Sequence, residues 1–231
     1  MKLYDGFISQ INSLTENKGK CFAFSASKLN AASKNNVLLL KDTAYELGGS
    51  QKSCVSTLAV TSTYSFDNEI LLIGEDLPEI KSDCAFAKLV LIEIDDIPED
   101  EAFEKIKELE LVRYQCCPEG FMTRASALNM REQIRVSKKA VKKKISFADY
   151  GNFLIEEYLK NPLVKSVKII LITGEFDYDS LYTLSEKIKE TTSALNHILD
   201  NVLFDCSSCN LKPICDEVEG MKELHMKTAG M

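Results

Sequence analysis

Histidine is almost missing from this chain of 231 residues, which has His197, His225 and no other. Neither has a motif around it, so a Ser–His–Asp or Cys–His nucleophile has no basis here, and no catalytic residue is assigned. A phosphate-cradling loop, a zincin helix and an EF-hand loop are absent too. Gly48-Gly49 in YELGGSQ lacks the G-x-G-x-x-G spacing of a dinucleotide fingerprint and reads as a turn. No apolar run approaches the roughly 20 residues of a membrane span. The opening MKLYDGFISQIN has no unbroken apolar core of the secretory kind. A cytoplasmic location and no membrane partner are expected.

What is there describes a globular chain, 45% hydrophobic and 27% charged. Leu3, Phe7, Ile11 and Leu14 fall at helical spacing before Asn17 and Gly19. Short apolar runs follow, separated by turn residues: CFAFSA, VLLL, CVSTLAV, EILLIG and FAKLVLIEI, all read as strands. From Pro98 the spacing of Phe103, Ile106, Leu109 and Leu111 predicts an amphipathic helix. Ser146 and Asp149 form a capping pattern ahead of Phe147, Tyr150, Leu154 and Tyr158, until Asn161-Pro162 stops the helix. VKIILIT, residues 167–173, is a buried strand, and a long helix from about Asp179 carries Leu181, Leu184, Ile188, Leu195, Ile198 and Leu199 on one side. The expected fold class is α/β (mixed α+β). A single domain over 1–204, strand-rich first and helix–strand–helix afterwards, is followed by a cysteine-rich segment over 205–231.

Charge is uneven. All four arginines, Arg113, Arg124, Arg131 and Arg135, fall in one span that runs on into Lys138, Lys139, Lys142, Lys143 and Lys144. Nine cations face only Glu119 and Glu132 there, a local +7 in a chain whose total is −7. Arginine's planar fork suits phosphate and carboxylate, so Arg113, Arg124, Arg131, Arg135 and Lys138 are expected to form an anion-binding face. The alternative is that VSKKAVKKK is a solvated helix surface. Nucleic acid is not expected as a partner, because the acidic remainder repels a phosphate backbone and no aromatic-rich motif accompanies the patch.

Eight cysteines are spread along the chain. Three are close together in DCSSCNLKPICDEVEG, where Cys206, Cys209 and Cys215 make a C-x-x-C and a third thiol. Such a turn brings two sulfurs onto one ion and a short loop returns the third, which suits an iron–sulfur cluster or, as the alternative, zinc. A four-ligand site needs one more donor, and the candidates are Cys116, Cys117 and His225. The adjacent Cys116-Cys117 can equally be one buried and one exposed thiol, and Cys21, Cys54 and Cys84 read as small core residues.

The segments IRVSKKAVKKKISFADYGNFLIEEYL, VKSVKIILITGEFDYDSL and DNVLFDCSSC, with YELGGSQKSCVSTLAV, ILLIGEDLPEI and AKLVLIEID upstream in the same order, carry a family resemblance. Over roughly Lys41 to Cys215 the chain resembles the middle domain of acetyl-CoA synthase, the β subunit of the carbon monoxide dehydrogenase/acetyl-CoA synthase complex, and the start of its active-site segment. The resemblance implies that Cys206 and Cys209 are ligands of a [4Fe–4S] cluster, with Cys209 bridging to nickel; Cys215 matches more loosely. It implies a partner from a carbon monoxide dehydrogenase/acetyl-CoA synthase or corrinoid system, and a coenzyme A-like anionic ligand. The chain departs from the family in having no tryptophan, the residue linked there to coenzyme A, and in lacking the nickel-holding Cys-Gly-Cys. Nickel and catalysis by the chain alone are therefore not expected. The expected function is a standalone module that binds an iron–sulfur cluster and an anionic ligand or protein in anaerobic one-carbon metabolism. The alternatives are a subunit completing an acetyl-CoA synthase-type site in trans and a zinc-stabilised interaction domain.

Overall fold

The computed structural model describes residues 1–33, 37–49, 51–98, 101–126, 131–199, 209–218, 220–221 and 224. Its elements run α1 (Asp5–Thr15), β1 (Lys20–Ala23), β2 (Thr43–Leu47), β3 (Cys54–Thr61), β4 (Glu69–Ile73), β5 (Phe86–Ile94), α2 (Ala102–Gln115), β6 (Phe121–Ser126), β7 (Arg131–Ser137), α3 (Lys138–Lys142), α4 (Phe147–Leu159), β8 (Val164–Thr173), α5 (Tyr178–Leu199) and α6 (Lys212–Glu217). The α/β class holds, in one compact body.

Five strands form a mixed sheet in the order β1-β4-β8-β5-β3, parallel at β3/β5 and β4/β8 and antiparallel elsewhere. β3, β5 and β8 are buried along almost their whole length, as continuous β-branched runs require when both faces are covered. One face meets α1 and α5: Thr61 donates to Asp5 at 2.7 Å, and Tyr4 bonds Thr192 across the two helices at 2.9 Å. The other meets α4, where Gly151 sits so close that an added Cβ would lie 2.4 Å from Ile70 Cγ1. That face also meets a second, three-stranded sheet in the order β2-β7-β6, all antiparallel. Tyr45, Leu47, Phe121, Ile134 and Val136 of the small sheet point into the shared core.

α2 crosses the end of the large sheet. Ala102 at its start lines a cleft with Leu195 of α5, while Cys116 just past its end lies beside Glu157 of α4. Arg113 is thereby turned inward with Ile106 and Leu109, and Leu111, expected on the apolar face, is exposed. Three further expectations are corrected. VLLL, residues 37–40, is no strand: it leads into a short 3-10 turn, Leu40–Asp42, with three of its side chains in water. Cys21 is exposed and Cys84 only half-buried, whereas Cys54 is in the core. The whole small sheet, β2, β6 and β7, is absent from the strands expected of the sequence.

The capping box of α4 forms as the sequence predicts. Ser146 Oγ accepts from the Asp149 amide at 3.1 Å, and Asp149 accepts from the Ser146 amide at 2.9 Å. Ser146→Ala is expected to lower stability by about 1 kcal/mol, read as a shift in urea midpoint at unchanged slope.

Candidate functional site

The described candidate-ligand thiols fall in two places. α6 packs on α5 through the buried Ile214, and Val218, Met221 and Leu224 continue that apolar contact into the main core. Lys187 of α5 pairs with Glu217 at 2.5 Å, and Lys212 with Asp216 at 2.6 Å. The described part of the cysteine segment is thus laid along the body rather than hung from it. Cys215 lies half-buried on α6, and Cys209, also half-buried, accepts the Lys212 amide on its carbonyl at 3.2 Å. Cys206 and His225 lie outside the described residues. Among the described residues no three His, Cys, Asp or Glu side chains gather as a metal-binding group.

The second thiol pair, Cys116-Cys117, follows α2 on the α4 side. Burial and then the Glu157 carboxylate push the Cys116 thiol up from its ordinary range; burial pushes Cys117 up to about 11, against the pull of Lys88 and the Thr123 hydroxyl. Both are held protonated at neutral pH. α6 packs on the α5 side, so the large sheet stands between it and the Cys116-Cys117 pair. Thiolates are the donors a cluster takes, and Cys209 and Cys215 are both half-buried. The structure does not bring Cys116 or Cys117 to Cys209 or Cys215.

The basic stretch is taken apart by the fold. Arg113 is buried against Glu132, with Nε 3.2 Å from Oε2, and its guanidinium also donates to Tyr114 at 2.5 Å. Burial works to lower its pKa, but the Glu132 carboxylate, Tyr114 and Tyr158 together outweigh it and hold the guanidinium above the usual arginine value. Glu132 further binds Lys88, and accepts from Ser56 Oγ at 2.5 Å. This interior cluster ties β3, β5, β7 and α2 together. On the outer face of the small sheet Glu46, opposite Arg135 in the β2/β7 register, binds Arg135 and lies 3.3 Å from Arg124 Nη1. Lys138 Nζ donates to the Lys41 carbonyl at 2.9 Å. Arg131 opens β7, and its side chain lies outside the described part. Of the five residues assigned to an anion-binding face, Arg113 is therefore interior, and Arg124 and Arg135 are already engaged by Glu46. The exposed lysines of α3 and the turn after it carry the open positive charge.

Sequence reasoning missed Lys88, Glu132 and Glu46 as the organising charges. A lysine inside the otherwise apolar FAKLVLIEI was the one available signal, since a cation in a buried strand demands a partner.

The architecture is that of an α/β body with a thiol-bearing segment docked along its last long helix, and none of its described helices is long and apolar enough to cross a membrane. A family model for the CO dehydrogenase/acetyl-CoA synthase complex beta subunit matches residues 31–177, more than half of the chain, and the protein belongs to that family. The match takes in both sheets apart from β1, together with every arginine, and stops before α5 and the cysteine segment. A comparison with curated proteins gives no match.

Proposed function

We propose that this protein is a metal-carrying assembly module of the CO dehydrogenase/acetyl-CoA synthase type, holding an iron–sulfur cluster through Cys206, Cys209 and Cys215 and docking with another subunit. The family membership carries the reading. The thiol segment supports it: Ile214, Val218, Met221 and Leu224 are buried against the body, so Cys209 and Cys215 are held beside it by apolar contact without a metal to fold them. A bound cluster would supply electron transfer or, at an open iron, a site for a small ligand. The chain itself contributes the thiolates and, at Cys209 and Cys215, a half-buried setting. A coenzyme A-like ligand receives little support from Arg113, Arg124 and Arg135, whose charges are spent internally.

Anaerobic purification followed by iron, sulfide, nickel and zinc analysis tests the reading. Iron and sulfide in about equal amounts, without nickel, are expected. Nickel at about one equivalent would instead make the chain part of a catalytic acetyl-CoA synthase-type centre, and zinc alone would sink the proposal.

A further inference from the structure

Residues 37–40 form a strap across the outer face of the small sheet. The Leu38 amide donates to Met122 Sδ at 3.2 Å and its carbonyl accepts from Arg135 at 3.0 Å, while the Leu39 carbonyl accepts from the Thr43 amide and hydroxyl at 3.1 and 2.9 Å. Held by these bonds, the strap turns Val37, Leu39 and Leu40 into water at 69%, 50% and 72% exposure. Adjacent aliphatic side chains fixed in solvent forgo the free energy of burial, and such a grouping marks a contact surface.

The surroundings say what kind of contact. Lys41, Lys138, Lys139, Lys142, Lys143 and Lys144 are all exposed, and none pairs with a carboxylate among the described residues. Of the carboxylates beside the strap, Glu46 is occupied by Arg124 and Arg135, and Asp42, exposed at the end of the 3-10 turn, is outnumbered by the lysines around it. Beside α3, on the flank away from Lys41, a cleft of about 310 Å³ is lined by Ala32, Ser33, Glu119, Gly120, Lys139 and Lys143. An apolar ridge and six lysines facing only Asp42 and Glu119 are complementary to an acidic surface that presents aliphatic side chains: the ridge supplies affinity, the lysines steering and orientation. The patch is local on a chain of net charge −7. A nucleic acid or anionic membrane reaching beyond it meets repulsion, whereas a protein surface of matching size does not.

We infer that the strap and α3 together form the docking face for an acidic, aliphatic surface of another subunit of the complex. The inference rests on the assembly reading above and adds where the contact is made. It is tested by measuring binding of the complex's other purified subunits to the immobilised, full-length protein at about 50 and about 300 mM salt. The variants are Leu39→Asp/Leu40→Asp, Lys139→Glu/Lys142→Glu/Lys143→Glu and, as a control on the far edge strand, Lys20→Glu. One subunit is expected to bind, with affinity falling about tenfold or more in each docking variant and at high salt, the control being unaffected. All the substituted side chains are exposed, so the thermal midpoints should match wild type and a folding defect is visible separately. If a subunit binds but neither docking variant weakens it, the face is wrong and the assembly reading stands. If no subunit binds the wild type, the assembly reading falls and the docking face with it. Binding to phosphatidylserine vesicles or heparin instead, or self-association that the same variants abolish, assigns the face to another occupant and overturns the inference.

Discussion

Glu132→Ala is expected to lower stability by about 3–5 kcal/mol, the scale of removing one partner from a buried ion cluster. Lys88, Arg113 and Glu132 are exposed by only 1%, 4% and 1%, so their charges have no water to fall back on. The carboxylate is shared: one oxygen takes Lys88, the other takes Ser56 and faces Arg113. Without it two cations remain in a low-dielectric interior, and Arg113 Nε, which already has no hydrogen-bond partner, loses the carboxylate it faces. The cluster also spans the two sheets and α2, so the loss loosens the packing of the small sheet on the large one. Glu132→Gln keeps shape and an acceptor but not the charge, and is expected to cost nearly as much. The triple change Lys88→Met/Arg113→Met/Glu132→Leu is expected to recover most of the loss, because it removes every buried charge at once. Urea denaturation reads all three. A Glu132→Ala variant within about 1 kcal/mol of wild type would mean that the cluster does not hold the sheets together.

That cluster also explains what the sequence could and could not reveal. β3, β5 and β8 are legible because a strand covered on both faces is an unbroken apolar run, and the register follows from it. β6 and β7 are not. REQIRVS does alternate, but one of its inward positions is Glu132 and an outward one is Arg135, so the buried charge disguises the period. The local excess of arginine misled for a related reason. Counting charge along a window finds only Glu119 and Glu132, whereas the fold brings in Glu46 from a strand 89 residues before Arg135. VLLL failed in the opposite sense: four aliphatic residues look like a core strand, yet the small sheet has already filled its inner face with Tyr45, Leu47, Phe121, Ile134 and Val136, and the strap crosses the outer one. For the thiols, spacing made Cys206, Cys209 and Cys215 visible as a set. The separation of Cys116-Cys117 from them is a property of where α2 and α6 pack, which no spacing encodes.

That separation makes the fourth-ligand question decidable. Cys206→Ser and Cys209→Ser are each expected to lose most of the iron of the anaerobically purified protein, and Cys215→Ser a large part of it, while Cys116→Ser and Cys117→Ser keep theirs. Cys116 and Cys117 lie on the α4 side of the large sheet, α6 on the α5 side, and a ligand must stand within about 2.3 Å of its metal. Stability should follow iron only in part. A ligand that binds the folded state alone adds about 4 kcal/mol at a thousandfold excess over its dissociation constant, so chelation is expected to lower the thermal midpoint. It should not unfold the protein, because Ile214, Val218, Met221 and Leu224 bury the segment by apolar contact whether or not a metal is bound. A zinc-dependent fold would behave differently, losing its far-ultraviolet circular dichroism together with the metal. Iron lost from Cys117→Ser but kept in Cys209→Ser would put the site on the wrong side of the sheet and overturn the assignment.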